Sequence, residues 1–270
     1  VFITRFVDMN LTLNNKRALV CGSTQGIGKA CAEQLALLGA NVTLVARNEE
    51  KLMDTLRQLD QNQGQKHDFI CADFSDFKGL QLKVNDYISS GNTIQILVNN
   101  TGGPKGGPIK DAHIEEFTEA FNQHLICNHI LVQALYPGMI ESGYGRIINI
   151  ISTSVKQPLA NLGVSNTIRG AVANWSKTMA NELGAYGITV NNVLPGATKT
   201  QRLQTLAEIK SSQSGETVDA ILTQMGSESP MKRIAEASEI ADAVAFLASP
   251  AAAYINGVNL PVDGGRTKSL

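Results

Sequence analysis

Short apolar runs alternate with longer helix-patterned segments along this chain, and that alternation narrows the folds open to it. Residues 17–21, 41–46, 67–72, 94–98, 146–151, 188–194 and 258–262 read as strands. Residues 26–38, 49–63, 114–140, 162–183 and 238–248 read as helices, the last capped by Ser238. Strands of continuous apolar character separated by helices form a parallel sheet covered on both faces. The expected class is therefore α/β, a single doubly wound domain. No internal repeat or low-complexity linker divides the 270 residues. Met9 is a candidate natural start, so residues 1–10 are set apart as an N-terminal extension or expression remnant, and residues 11–270 form the domain. Residues 201–230 break the alternation. They are polar, carry Ser211-Ser212-Gln213-Ser214-Gly215, and read either as a substrate lid or as a solvated helical excursion.

Charge and composition exclude several function classes. Lys plus Arg is 23 and Asp plus Glu is 24, a net charge of −1 that suits neither a basic nucleic-acid binder nor a polyanionic tail. A hydrophobic share of 43% excludes a mainly disordered chain. The longest stretch uncharged but for Glu141, 125–142, contains Asn128, His129, Gln133 and Pro137, which suits a buried helix better than a membrane span. The N-terminal residues lack the continuous apolar run of a secretory signal. Cys21, Cys31, Cys71 and Cys127 form no metal-ligand spacing. The expectation is a cytoplasmic chain with reduced thiols, no metal, no nucleic-acid partner and no membrane contact.

Chemistry first shows in the turn Gly22-Ser23-Thr24-Gln25-Gly26-Ile27-Gly28, between the first strand and the first helix. Glycines here permit a tight turn and close backbone approach to a diphosphate, and the helix N-terminus presents unpaired N–H groups to an anion. The spacing is G-x3-G-x-G and not the G-x-G-x-x-G of the common dinucleotide fingerprint. An acidic residue ending strand two would bind a ribose 2′-hydroxyl. Arg47 stands there instead, and a guanidinium can pair with a 2′-phosphate. NADP is therefore favoured, with NAD possible. Glu49 and Glu50 follow closely and read as the start of the next helix.

These residues resemble the short-chain dehydrogenase/reductase superfamily, over roughly residues 13–266. The family's T-G-x3-G-x-G is matched from Cys21 to Gly28, and its N-N-A-G by Asn99-Asn100-Thr101-Gly102. Its G-R-I-V-N-I-S-S strand is matched by residues 145–152, and its P-G motif by Pro195-Gly196. The nearest branch is that of the 3-oxoacyl-carrier-protein reductases. The resemblance implies a Rossmann-type, seven-stranded parallel sheet flanked by helices. It implies adenine contacts from Asp73 and its neighbour Phe74. It implies further cofactor contacts from Asn99, Thr101, Gly102, Pro195, Gly196, Thr198 and Thr200. It also implies a homotetramer or homodimer built through helices 114–140 and 162–183.

The family's catalytic set departs from type. The serine is present as Ser152. The tyrosine and lysine of Y-x-x-x-K fall in register on Ser165 and Arg169, and the asparagine falls on His124. A spacing of four puts Ser165 and Arg169 on one helix face. A serine hydroxyl is a far weaker acid than a phenol, and a guanidinium stays protonated. His124 is expected either to titrate near neutrality and supply a proton, or to be a buried packing residue. Lys156 and the loop 102–108 are lesser candidates, and none of the five tyrosines falls at a catalytic position. The expected activity is hydride transfer between NADP(H) and a small carbonyl or alcohol substrate. The alternatives are a weak or inactive nucleotide-binding sensor or scaffold, and a non-redox reaction such as dehydration or isomerisation.

Overall fold

The computed structural model describes residues 9–269; residues 1–8 of the expected N-terminal extension lie outside them. The strands are β1 (Arg17–Cys21), β2 (Asn41–Ala46), β3 (Asp68–Cys71), β4 (Ile96–Asn99), β5 (Gly145–Ile150), β6 (Ile188–Pro195) and β7 (Asn259–Val262). All pair in parallel, in the order β3-β2-β1-β4-β5-β6-β7. Side chains alternate across the pleat, so each strand feeds two cores. In β1, Ala18 and Val20 join one core while Leu19 and Cys21 join the other. Helices α1 (Gly26–Leu37), α2 (Glu49–Gln58) and α9 (Ala237–Ala248) bury the first core through residues such as Leu35, Leu52 and Val244. Helices α3 (Phe77–Ser89), α5 (Cys127–Glu141) and α6 (Gly163–Leu183) bury the second through Leu80, Leu131 and Ala180. Each fully buried Leu stabilises the fold by about 2 kcal/mol.

Several elements depart from the sequence pattern, among them the helix expected over 49–63, which ends at Gln58. Helix α3 lies outside the expected helices: only Leu80 and Val84 of it are fully buried, with Phe77, Tyr87 and Ile88 half-buried against the core. Its signal was a cap: Asp76 accepts from the Gly79 N–H at 2.9 Å. The single helix expected over 114–140 divides into α4 (Ile114–Phe121), a wider π turn over Asn122–Ile126, and α5. The 201–230 segment forms two helices, α7 (Gln201–Ser214) and α8 (Val218–Ser227). Ser238 lies inside the first turn of α9 and does not cap it. Glu236 caps it, with the Glu239 carboxylate accepting from the Glu236 N–H at 2.9 Å and held by Arg233 through two 2.6 Å bonds. Among the described residues no helix is long and apolar enough to cross a membrane.

A row of asparagines crosses the sheet at registered positions. Asn99 pairs with Asn149, Asn149 with Asn192, and Asn192 with Asn259 across four neighbouring strands. Their amides bond in sequence at 2.8, 3.0 and 2.8 Å, and Asn149 also donates to Ser176 Oγ of α6 at 3.1 Å. Removing the middle member would strand buried partners on both sides, each costing about 1–3 kcal/mol. Asn149→Ala is expected to lose about 3 kcal/mol of stability, read as a lowered midpoint in urea unfolding with an unchanged slope. A midpoint shifted by no more than a surface substitution would show that the row carries no such stability.

Candidate active site

At the midline of the sheet the chain leaves β1 to one side and β4 to the other, and a cleft opens between their carboxyl ends, as expected at a topological switch point. Gly22 makes the turn with φ +59°, and a Cβ there would stand 2.6 Å from the Asn100 carbonyl oxygen. A Cβ on Gly28 would stand 2.2 Å from the Gly22 carbonyl oxygen. Asn100 Nδ2 fixes this approach by donating to the carbonyls of Cys21 at 3.2 Å and Gly22 at 3.4 Å. Gln25 precedes α1 without capping it, and the first turn of α1 holds no acidic side chain. Its first amides therefore keep their partial positive charge for a ligand. Gly22, Thr24, Gln25, Gly26 and Ile27 line the cleft, while Ser23 is buried beneath it and donates to the Val45 carbonyl at 3.4 Å. The cradle fits the diphosphate of a dinucleotide.

Arg47, Asp73 and Phe74 line one end of the cleft. Glu49 and Glu50 form the first turn of α2 behind the cap residue Asn48 and do not line it. Asp73 accepts from the Ser75 N–H at 2.9 Å and its O–H at 2.8 Å. The bond from the Ser75 amide, against some burial, holds the Asp73 carboxyl below the usual range, with smaller help from the Ser75 hydroxyl and the charge of Arg47.

Thr101, Gly102, Pro195, Gly196 and Thr200 also line the cleft, and Ser152, Ser165 and Arg169 line it toward β5 and β6, on the far side of β1 from Arg47; the volume is about 610 Å³. Ser152 heads a short 3₁₀ turn (Thr153–Val155), two residues past the end of β5. Its Oγ accepts from the Ser154 N–H at 3.1 Å, which leaves its own proton free to donate. Arg169 is 7% exposed, and its Nη1 donates to the Ile150 carbonyl at 3.2 Å. Burial, then the charge of Arg202, lowers its pKa to about 10, so it is a cation at neutral pH.

Several anticipated residues stand behind the cleft. Asn99 faces the asparagine row, Gly28 packs under Gly22, and Thr198 donates to the Gly196 carbonyl at 3.1 Å. His124, in the π turn, is 1% exposed, with Nδ1 2.5 Å from Thr101 Oγ1. Burial, then the charge of Arg169, pushes its pKa down to about 2. Of the two expectations for His124, the buried one matches its place: burial favours the neutral ring, which has no extra proton to give. Lys156 is exposed and, like the five tyrosines, does not line the cleft. Asn100, Gln123 and Arg202 line it without having been singled out. Strand alternation was the signal for Asn100, since Asn99 points the other way.

Comparison with known proteins agrees with this geometry. The family described as enoyl-(acyl carrier protein) reductase matches residues 22–267. The NADPH-dependent reductase BacG of Bacillus subtilis is 30% identical over 266 residues, covering 96% of this chain and 100% of that protein. The 3-oxoacyl-[acyl-carrier-protein] reductase FabG of Haemophilus influenzae is 34% identical, covering 94% and 98%. The crystal structure of L-sorbose reductase from Gluconobacter frateurii, complexed with NADPH and L-sorbose, superposes with a TM-score of 0.90 at 32% identity, covering 97% and 100%. A doubly wound sheet with a glycine turn at its switch point defines a nucleotide-binding class of fold. The family match and the relatives then show that this chain belongs to the short-chain dehydrogenase/reductase superfamily of oxidoreductases, in its FabG-like branch.

The neutral His124 has a measurable consequence. Unfolded histidine binds a proton below about pH 6.5. The folded ring resists until about pH 2. This contribution is fully present above pH 6.5 and is lost as pH falls below it, by about 2 kcal/mol at pH 5. In His124→Gln the stability difference between pH 7.5 and pH 5 is expected to shrink by about that amount, as measured by denaturant unfolding at the two pH values. An unchanged difference would mean that the folded ring titrates normally.

Proposed function

We propose that this chain is an NADPH-dependent reductase of a small carbonyl compound, working in reverse on the corresponding alcohol. The observation that carries this reading is the continuity of the cleft. The glycine cradle and Arg47 line the same cleft as Ser152, Ser165 and Arg169. Arg47 suits a 2′-phosphate, and the α1 N-terminus suits the diphosphate. NADPH, when bound, supplies the hydride.

As the carbonyl carbon gains hydride, its π electrons move onto oxygen, which must be stabilised and then protonated. Ser152 and Ser165 donate hydrogen bonds to that oxygen. Arg169 adds a fixed positive charge in a water-poor site, where it acts more strongly than in bulk solvent. The two hydroxyls pass the proton on from solvent, since neither Arg169 nor neutral His124 is a competent acid. His124 acts as a positioning residue by holding Thr101. Helix α7, which lines the cleft through Gln201, Arg202 and Leu206, serves with α8 behind it as the substrate lid. Ile114 and Phe121, 75% and 40% exposed on α4, support a homo-oligomer formed through α4–α5 and α6. The free cysteines suit a cytoplasmic setting.

Ser152→Ala is expected to lower kcat for NADPH-linked carbonyl reduction by about a hundredfold. Because Arg169 keeps its charge until about pH 10, wild-type kcat should stay flat from about pH 6 to 9 and fall above that. An inflection near pH 6–7 would return the acid role to His124. NADPH binding with no turnover across a broad carbonyl panel would favour a nucleotide sensor.

Arg47→Asp should weaken NADPH binding by about 10- to 100-fold while improving NADH, measured by fluorescence titration of each coenzyme. Equal losses for both would remove Arg47 from 2′-phosphate recognition.

A further inference from the structure

The substrate end of the cleft holds cations that no carboxylate balances. Arg169 is nine-tenths buried, and its protein bond goes to a backbone carbonyl. Arg202, in the first turn of α7, reaches across to the loop after β4. There Nη2 donates to the Pro104 carbonyl at 2.6 Å and the guanidinium covers Gly103. Both arginines line the cleft with Ser152 and Ser165. Among the described residues, neither lies within 4.0 Å of an Asp or Glu oxygen. The acidic lining residue, Asp73, stands at the opposite end beside Arg47.

Two guanidiniums in one partly desolvated cleft repel each other, and an anion entering between them relieves that repulsion. The coenzyme's charges have their own partners, the α1 N-terminus and Arg47, so this anion belongs to the substrate. A guanidinium has five N–H donors in a planar fork, and the bond to Pro104 uses one of them. The rest match a carboxylate, which guanidinium binds in bidentate fashion.

We propose that the substrate is an oxo acid, whose carboxylate pairs with Arg202 while its carbonyl oxygen meets Ser152, Ser165 and Arg169. This rests on the reductase reading above and adds the substrate class and the residue that selects it. The reaction takes oxo acid, NADPH and a proton to hydroxy acid and NADP⁺. Hydride adds to the carbonyl carbon, the π pair of the C=O bond becomes an oxygen lone pair, and that oxygen takes the proton. The carboxylate is unchanged.

The test uses 2-, 3- and 4-oxo acids, each paired with its ethyl ester, with NADPH oxidation as readout at pH 7. For at least one chain length, wild type should favour the acid at least 30-fold in kcat/KM. The acid-to-ester ratio should collapse to within threefold of one in Arg202→Gln and be partly kept in Arg202→Lys. Equal turnover of acid and ester by wild type overturns the proposal, as does a preference that survives in Arg202→Gln. A defect in Arg202→Gln confined to the KM for NADPH overturns it too, assigning the residue to the coenzyme. If no compound is turned over, the reductase reading fails separately, and calorimetry of each oxo acid with the NADP⁺-loaded protein decides this one. Binding that Arg202→Gln loses supports it; no binding to wild type overturns it.

Discussion

The site depends on one close approach of backbone to backbone. Gly22 and Gly28 meet where β1 and β4 part, with Asn100 bridging to the carbonyls of Cys21 and Gly22. No side chain fits in that space, so the start of α1 comes down onto the sheet with its amides unpaired. Those amides supply positive partial charge without a lysine or arginine and without reorganisation when an anion arrives. The rest follows the sheet. Parallel strands bring every β-to-α loop to one edge, where β2, β3, β4, β5 and β6 each deliver a segment to the same cleft.

Charge at the reactive end is set by burial. Arg169 remains cationic although nearly enclosed, because its ordinary pKa is so high that a drop to about 10 still leaves it charged. Burial of the ring, and to a smaller degree that same cation, keep His124 neutral. The pair therefore divides into a fixed charge and a fixed hydrogen-bonding ring, and the proposed mechanism accordingly routes the proton through hydroxyl groups. The π turn of α4–α5 matters here, since its wider coil carries His124 inward behind Thr101 and leaves Gln123 on the cleft.

Much of the fold was legible in the pattern because each core strand is apolar on both faces and each helix is closed by a recognisable break. Leu19 and Val20, adjacent in sequence, belong to opposite cores, so β1 had to be a buried strand. Helix α3 was missed because it buries little, and the π turn because no Gly or Pro marks it. The glycine turn, Arg47, Ser152, Ser165 and Arg169 could be found by motif and register. Arg202 could not, since its partner Pro104 is 98 residues distant in the chain.

The seven strands in their order along the chain, the parallel sheet, the nucleotide turn and the absence of a phenol at the position in register beside Ser152 were determined by sequence alone. These are properties of local spacing and side-chain chemistry. Tertiary structure decided which asparagine of the pair faces the cleft, whether His124 can hold a proton, and that two arginines converge without a counter-charge. Burial and long-range proximity exist only once the chain has folded, and electrostatic interactions take their strength from both.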